Sequence, residues 1–438
     1  KLRKVGFYNM DAIMISKMAD FRKIAAGEPD WLYRHRLAGW QAYHSKPLPE
    51  RVQHIWKYTA PEQFLVDNPK EVMEIIPQNA DEEAYKSIMI DPEFAGYGFN
   101  QEDITIAAKL QPNVSKSGVI FSDLLTAIQT APDLVGQHLG KIVGADFGKF
   151  EAANMALWNT GFFLYIPPNT VIDKPIFINR HPTGLQTITR LLVVVDSNSE
   201  VTILDDFNCH CTHEGEQLNN VIEIFGKESS NVRYVNIQRL GPAAKIYSNQ
   251  RIYLERHAKS LSVFSALGGA VAKMNAGTIL AGEGADSQMY GIAYGDNRQH
   301  FDYHTYHHHK AKQTTSNIEF KVILKDKAQS AYTGLIRIEN DAPNCEAYQE
   351  NRNLLLNKGT KADSIPELEI LNDQVRCTHG ATVGPLDQDM LFYLKSRGFS
   401  ESEAIKTLVS GFVESTLGKM PETIGHIIHE LVRVKMEG

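Results

Sequence analysis

Cysteine is scarce in this chain: four in 438 residues, at Cys209, Cys211, Cys345 and Cys377. So few cannot staple a fold of this length. That excludes a disulfide scaffold and points to a reducing, cytoplasmic compartment. Cys209 and Cys211 stand too close in sequence for an ordinary bridge. Excess positive charge is missing too; the formal net charge is −7, which argues against a general nucleic-acid role. No apolar run reaches the roughly 18 residues a membrane helix needs. The opening "KLRKVGFYNM" has no apolar signal core, and its missing initiator Met fits a trimmed or truncated start. A G-x-x-x-x-G-K-[ST] phosphate loop is absent. "GADFGKF" and "LGKM" lack both the upstream glycine and the hydroxyl residue that would hold magnesium. No G-x-S-x-G nucleophile elbow occurs either.

What is present falls into three textures. Residues 1–157 carry helical stretches: "DAIMISKMADFRKIAA", "PDWLYRHRLAGWQAYHS" and "SDLLTAIQTAPDLVGQHLGKIV", the last with Ser122 as expected N-cap. Residues 158–385 switch to short strands rich in Val, Ile, Phe and Tyr, separated by small polar turns. A loose repeat runs through them, a serine followed by an alternating strand, at Ser199, Ser230, Ser260, Ser287, Ser330 and Ser364. The intervals are 31, 30, 27, 43 and 34 residues. A period near 30 without helical pattern predicts a β-helix, each coil burying its apolar face on the next, with inward apolar and outward polar side chains. Two stacked sheets with repeat-like turns are the alternative. The long interval, with "RQHFDYHTYHHHKAKQTT", reads as extra structure on one coil. Residues 386–438 are helical again. Asp387 caps the first helix, Gly398 ends it, Ser400 and Glu403 form a capping box, and Pro421 opens the last.

Four places offer chemistry. In "LDDF", Asp205 and Asp206 are neighbours on a strand and face opposite ways, which counts against the paired carboxylates of a carbohydrate-active β-helix enzyme. In "FNCHCTHEG", Cys209 and Cys211 share a strand face and His213 can fold back. Thiolates with imidazole suit zinc, copper(I) or an iron–sulfur unit, although C-x-C is tighter than the usual closed zinc spacing. These residues, with His304, His307, His308 and His309, would serve a stand-alone metal-binding scaffold. Lys310 and Lys312 follow that histidine run and oppose a cation, so a solvated or interface strand is the preferred reading. Finally, Cys377 and His379 project to one face of a strand, with Cα atoms roughly 7 Å apart. They are two soft ligands that another strand or chain must complete, or a buried thiol beside a hydrogen-bonded histidine.

At this point a resemblance becomes specific. "CTHGATVGPLDQDMLFYLKSRGFSESEA" is similar to the C-terminal signature of the SufB/SufD family of iron–sulfur cluster assembly proteins, in its SufD-like branch. "YQENRNLLLNKGTKADSIPELEI" and "GEPDWLYRHRLAGWQAYHSKPLPE" also resemble family segments, so the likeness covers most of the chain. The resemblance implies a right-handed parallel β-helix flanked by helical modules. It implies no catalysis by this chain alone. The implied partners are a SufC-type ATPase and a SufB-type subunit or a second copy, with apo-protein acceptors served indirectly. The chain has His379-Gly380-Ala381 where the SufB branch would carry His-Glu-Ala, which fits SufD. On that likeness, His379 with Cys377 beside it contributes to a subunit interface where a transient iron–sulfur cluster forms. The apolar stripe Leu394, Ile405, Leu408, Val409 and Phe412 is expected to bind the ATPase.

Overall fold

The computed structural model describes residues 28–51, 54–66, 90–101, 104–182, 186–209 and 216–437. The helix expected over residues 11–26 lies outside them. In chain order the strands are β1 (Gly96–Gln101), β2 (Ile104–Leu110), β3 (Ile120–Asp123), β4 (Thr160–Ile166), β5 (Ile176–His181), β6 (Gln186–Val195), β7 (Glu200–Asn208), β8 (Gln217–Gly226), β9 (Asn231–Arg239), β10 (Lys245–Leu254), β11 (Lys259–Ala266), β12 (Val271–Leu280), β13 (Asp286–Gly295), β14 (His300–His309), β15 (Thr315–Leu324), β16 (Gln329–Ile338), β17 (Glu346–Leu355), β18 (Lys361–Ile370) and β19 (Arg376–Pro385). The helices are α1 (Asp30–Ser45), α2 (Pro112–Ser115), α3 (Leu124–Thr130), α4 (Pro132–His138), α5 (Lys149–Leu157), α6 (Gln388–Ser396), α7 (Glu401–Leu417) and α8 (Glu422–Glu437).

Successive strands alternate between two sheets. Odd strands from β5 to β19, with β1 and β2, form a ten-stranded sheet; even strands from β4 to β18, with β3, form a nine-stranded one. From β4 onward every pairing along each sheet is parallel. The chain is therefore a flattened parallel β-solenoid with two strands per coil, and terminal modules flank it.

The corners set the period. Asn169, Asn198, Ser229, His257, Gln313 and Asn344 all adopt left-handed backbone, with φ between 55° and 60°. Short polar side chains tolerate this region best, and asparagine recurs here. Their amides tie the coils together: Asn169 donates to Ser197, Asn198 to Glu228, Ser229 to Arg256, His257 to Glu283, Gln313 to Pro343 and Asn344 to Gln374.

The serine repeat needs one correction. Ser260, Ser287 and Ser316 are register neighbours in the ten-stranded sheet. Ser330 and Ser364 instead belong to the nine-stranded sheet, on β16 and β18. The 43-residue interval thus joins two sheets and contains no extra structure: β14 and β15 complete a regular coil there.

The outward faces also differ from expectation, because much of their area is apolar and covered. Trp40, Leu157 and Trp158 pack over Leu192, Val194 and Phe225 of the nine-stranded sheet. Beneath that cover Arg190 pairs with Glu223 at 3.0 Å, and Glu223 also accepts the amides of Gly140, Ile142 and Val143. On the ten-stranded sheet, Val235, Val263, Ile292 and Ile323 meet Val413, Ile424, Ile428 and Val432 of α7 and α8. Each such side chain contributes roughly 1.5–3 kcal/mol when fully buried. Glu319 accepts from Thr416 and Lys419, and Lys321 donates to the Phe412 carbonyl and to Ser415.

Local signals at the ends read well, with two exceptions. Asp387 accepts from the amides of Asp389 and Met390, and Ser400 with Glu403 forms the capping box. Gly398 follows α6 at φ +98°, a conformation that favours glycine. The N-cap of α3 is Asp123, not Ser122; its carboxylate accepts the Thr126 amide at 3.0 Å, and Pro132 starts a new helix, α4. Residues 1–157 are also not purely helical, since β1, β2 and β3 lie among them.

Candidate functional site

At the carboxy-terminal end of the stack, β18 and β19 have a strand neighbour on one side only. Inward positions elsewhere are sealed by the next coil; here they open to solvent. Cys377 stands at the top of an inward column that runs through Ser260, Ser287, Ser316 and Ala347. His379 stands at the top of the next, above Tyr234, Ser262, Met289, Ile318 and Gln349. All five beneath His379 are fully buried, whereas His379 is exposed because nothing stacks on it. The two side chains share one face of β19, as alternation on a strand requires. Cys377 is half-buried against the interior core. Burial pushes its thiol up to about 11, so it is protonated at neutral pH and needs a metal or a nearby cation to become a ligand.

The coil below carries residues that sequence reading missed. Inward positions of β15 are Ile318, Phe320 and Val322; one coil on, β17 has Gln349, Asn351 and Asn353 at those positions. All three amides are buried. Asn353 donates to Asn351 Oδ1 at 2.7 Å and to the Thr382 carbonyl at 3.1 Å. The available signal was the period: Gln349 lies 30 residues before His379, its Cα partner. By the same alternation, every charged residue of β17, β18 and β19 takes an outward position: Glu346, Glu350, Arg352, Lys361, Asp363, Glu367, Glu369 and Arg376. The open interior mixes these amides with apolar side chains and carries no fixed charge.

Around this end lie exposed apolar side chains: Tyr348, Ile370, Leu371 and Val383 on or beside the last strands, and Met390, Phe392, Tyr393 and Phe399 on and just after α6. The stripe expected to face an ATPase lies elsewhere. Val409 is buried in the contact with the ten-stranded sheet, and Ile405 and Phe412 are partly buried there. Leu394 and Leu408 are partly buried around Leu386, Leu391 and Ala404. That stripe holds the module to its own solenoid, and Phe392, at 73% exposure, and Tyr393 are among the large apolar residues the module leaves in solvent.

The other candidates resolve differently. His307 and His309 point into the coil and are fully buried, not solvated or at an interface. His307 Nε2 meets Ser287 Oγ at 3.1 Å. His309 meets Thr314 Oγ1 at 2.7 Å and Ser316 Oγ at 2.9 Å. Burial lowers them to about 3 and about 4, so both are neutral. His304 and His308 face outward, against Asp302 at 3.0 Å and Glu339 at 2.7 Å. Contrary to the sequence expectation, Cys209 is buried and disulfide-bonded, so its sulfur is no free metal ligand; Cys211 and His213 lie outside the described residues. Among the described residues, no group of three or more His, Cys, Asp or Glu side chains could hold a metal ion. Asp205 is inward and paired with Arg180, while Asp206 is outward and paired with Arg239, so no carboxylate pair converges. No helix among the described residues is long and apolar enough to cross a membrane.

Residues 177–412 match the family described as the SUF system FeS cluster assembly, SufBD core domain, and residues 18–178 match the SufBD protein N-terminal region. An iron–sulfur cluster assembly SufBD family protein of Staphylococcus saprophyticus is 26% identical over 425 residues, covering 94% of this chain and 90% of its own length. Its counterpart in Staphylococcus haemolyticus is 26% identical over 438 residues, covering 97% and 92%. A core match spanning more than half of the chain, with the amino-terminal match completing it, places the protein in the SufBD family and in iron–sulfur cluster assembly.

Proposed function

We propose that the chain is a SufD-like, non-ATPase subunit of a SUF-type assembly complex, acting in the cytoplasm and not an enzyme by itself. Its open carboxy-terminal end receives a SufB-type subunit or a second copy. There His379, with Cys377 beside it, contributes to the site where a nascent iron–sulfur cluster is built for apo-protein acceptors. The observation that carries this reading is the position of His379. It is an inward residue of a closed stack that is exposed only because the stack ends. An edge of this kind, ringed by Tyr348, Ile370 and Val383, is a template for another chain. A neutral imidazole ligates iron directly; the protonated thiol follows once a cation lowers its pKa. Two ligands do not complete a site, so the partner supplies the rest. We further propose that Phe392 and Tyr393 on α6 face the SufC-type ATPase.

Anaerobic reconstitution with iron and sulfide tests the reading. The isolated chain is expected to develop no stable cluster absorption, and the complex with its SufB-type partner is expected to develop it. A stable chromophore on the isolated chain would instead favour a stand-alone metal scaffold.

A further inference from the structure

We propose that Gln349 is a positioning residue for His379, accepting one ring N–H from the coil above so that the other ring nitrogen keeps its free lone pair. The inference deepens the reading of His379 as a cluster-site residue and rests on it for its purpose, though not for its geometry. Gln349 is fully buried one coil beneath His379 in the same inward column, and parallel strands stack about 4.8 Å apart. Its carboxamide has one fixed end: Nε2 donates to the Gly334 carbonyl at 3.1 Å across the coil interior. That bond orients the amide and leaves Oε1 buried without a hydrogen-bond partner. A buried acceptor left unpaired forfeits its hydration without a replacement bond, so a donor is favoured there.

The opposite strand is shaped for this amide. A Cβ on Gly334 would sit 2.6 Å from the Gln349 Cδ, Nε2 and Oε1 atoms, so only glycine leaves the amide its place. The coil above offers few donors. Its inward side chains on β18 and β19 with an N–H, O–H or S–H are Ser364, Cys377 and His379, and only His379 stands in the Gln349 column. His379 is exposed, so its ring is free to turn toward Oε1. A histidine that ligates through one nitrogen needs the other held by such an acceptor, which fixes both tautomer and ring plane. The charged residues nearby, Glu350, Arg352 and Arg376, are on outward positions and do not compete.

The test reads the imidazole itself in the isolated, ¹⁵N-histidine-labelled chain, without any cluster. The His379 signal is assigned by its loss in His379→Gln. In the unsubstituted chain His379 is expected to populate one tautomer. Gln349→Met should return it to the mixture of a free histidine. Gln349→Glu keeps an acceptor and adds a charge beside the ring, and should shift the His379 ring signals while keeping the single tautomer. A free-histidine tautomer mixture in the unsubstituted chain would overturn the proposal whether or not the variants fold. So would folded variants with unchanged His379 signals. Loss of the cluster-site reading would leave these results standing, so the two failures are distinguishable.

Discussion

Arg180 and Asp205 form a two-pronged ion pair inside the solenoid, with Nε and Nη2 at 2.7 and 3.0 Å from the two carboxylate oxygens. Tyr234 donates a third bond to the same carboxylate at 2.7 Å, and the guanidinium lies 4.9 Å from the Phe207 ring centroid. Neither charge reaches water. Arg180→Ala strands the carboxylate, and should cost about 3–5 kcal/mol of stability. The paired change Arg180→Met with Asp205→Leu should cost much less, since no charge is left behind. Urea unfolding midpoints of the three proteins measure this; equal losses would show that shape, not charge, governs the position.

Acid should weaken the carboxy-terminal half of the solenoid. His307 and His309 fall to about 3 and about 4 in the folded chain, chiefly through burial. Unfolded histidine titrates near 6.5. Their folded pKa values are depressed, so the stability linked to them is complete above about pH 6.5 and falls as pH drops toward the folded values. The limiting slope is about 1.4 kcal/mol per pH unit for each histidine. Between about pH 6.5 and 5, before most carboxylates titrate, the chain should lose stability faster than a His307→Gln, His309→Asn variant. Parallel losses in the two proteins would refute the assignment.

Cys377 should react slowly in the isolated chain. With its thiol near 11, roughly one molecule in a thousand carries the thiolate at pH 8. Iodoacetamide labelling, read by mass spectrometry, should rise about tenfold per pH unit up to that value. Rapid labelling at pH 7 would mean that a cation lowers the thiol even without a partner.

Phe392→Ser with Tyr393→Ser should abolish co-purification of the SufC-type ATPase and leave the unfolding free energy within about 0.5 kcal/mol, as exposed positions allow. Val409→Ser should do the reverse, destabilising the chain by about 2–4 kcal/mol because that side chain is buried. Retained co-purification in the double variant would move the ATPase contact off α6.

The coil period was legible because left-handed corners recur with it, and the shared face of Cys377 and His379 followed from strand alternation alone. Which sheet each strand joins was not. Ser330 carries the same local pattern as Ser287, and only pairing with β14 and β18 separates them. The histidine run was misread for a similar reason. Lys310 and Lys312 lie beyond the end of β14, so their charge says nothing about the inward positions of His307 and His309. The stripe through Leu408 and Val409 marked a buried helix face correctly in period, but a period does not name what covers it. Gln349, Asn351 and Asn353 looked like ordinary strand polarity until register placed them under the open end.

The most direct test of the central claim is the iron and acid-labile sulfide content of the complex purified anaerobically from cells, with His379→Ala compared against the unsubstituted chain. Because His379 is exposed, the variant should fold and assemble, which size-exclusion chromatography checks alongside. The expected result is an assembled complex with most of its iron and sulfide missing, and a smaller loss for Cys377→Ala. An assembled His379→Ala complex with full cluster content would contradict it.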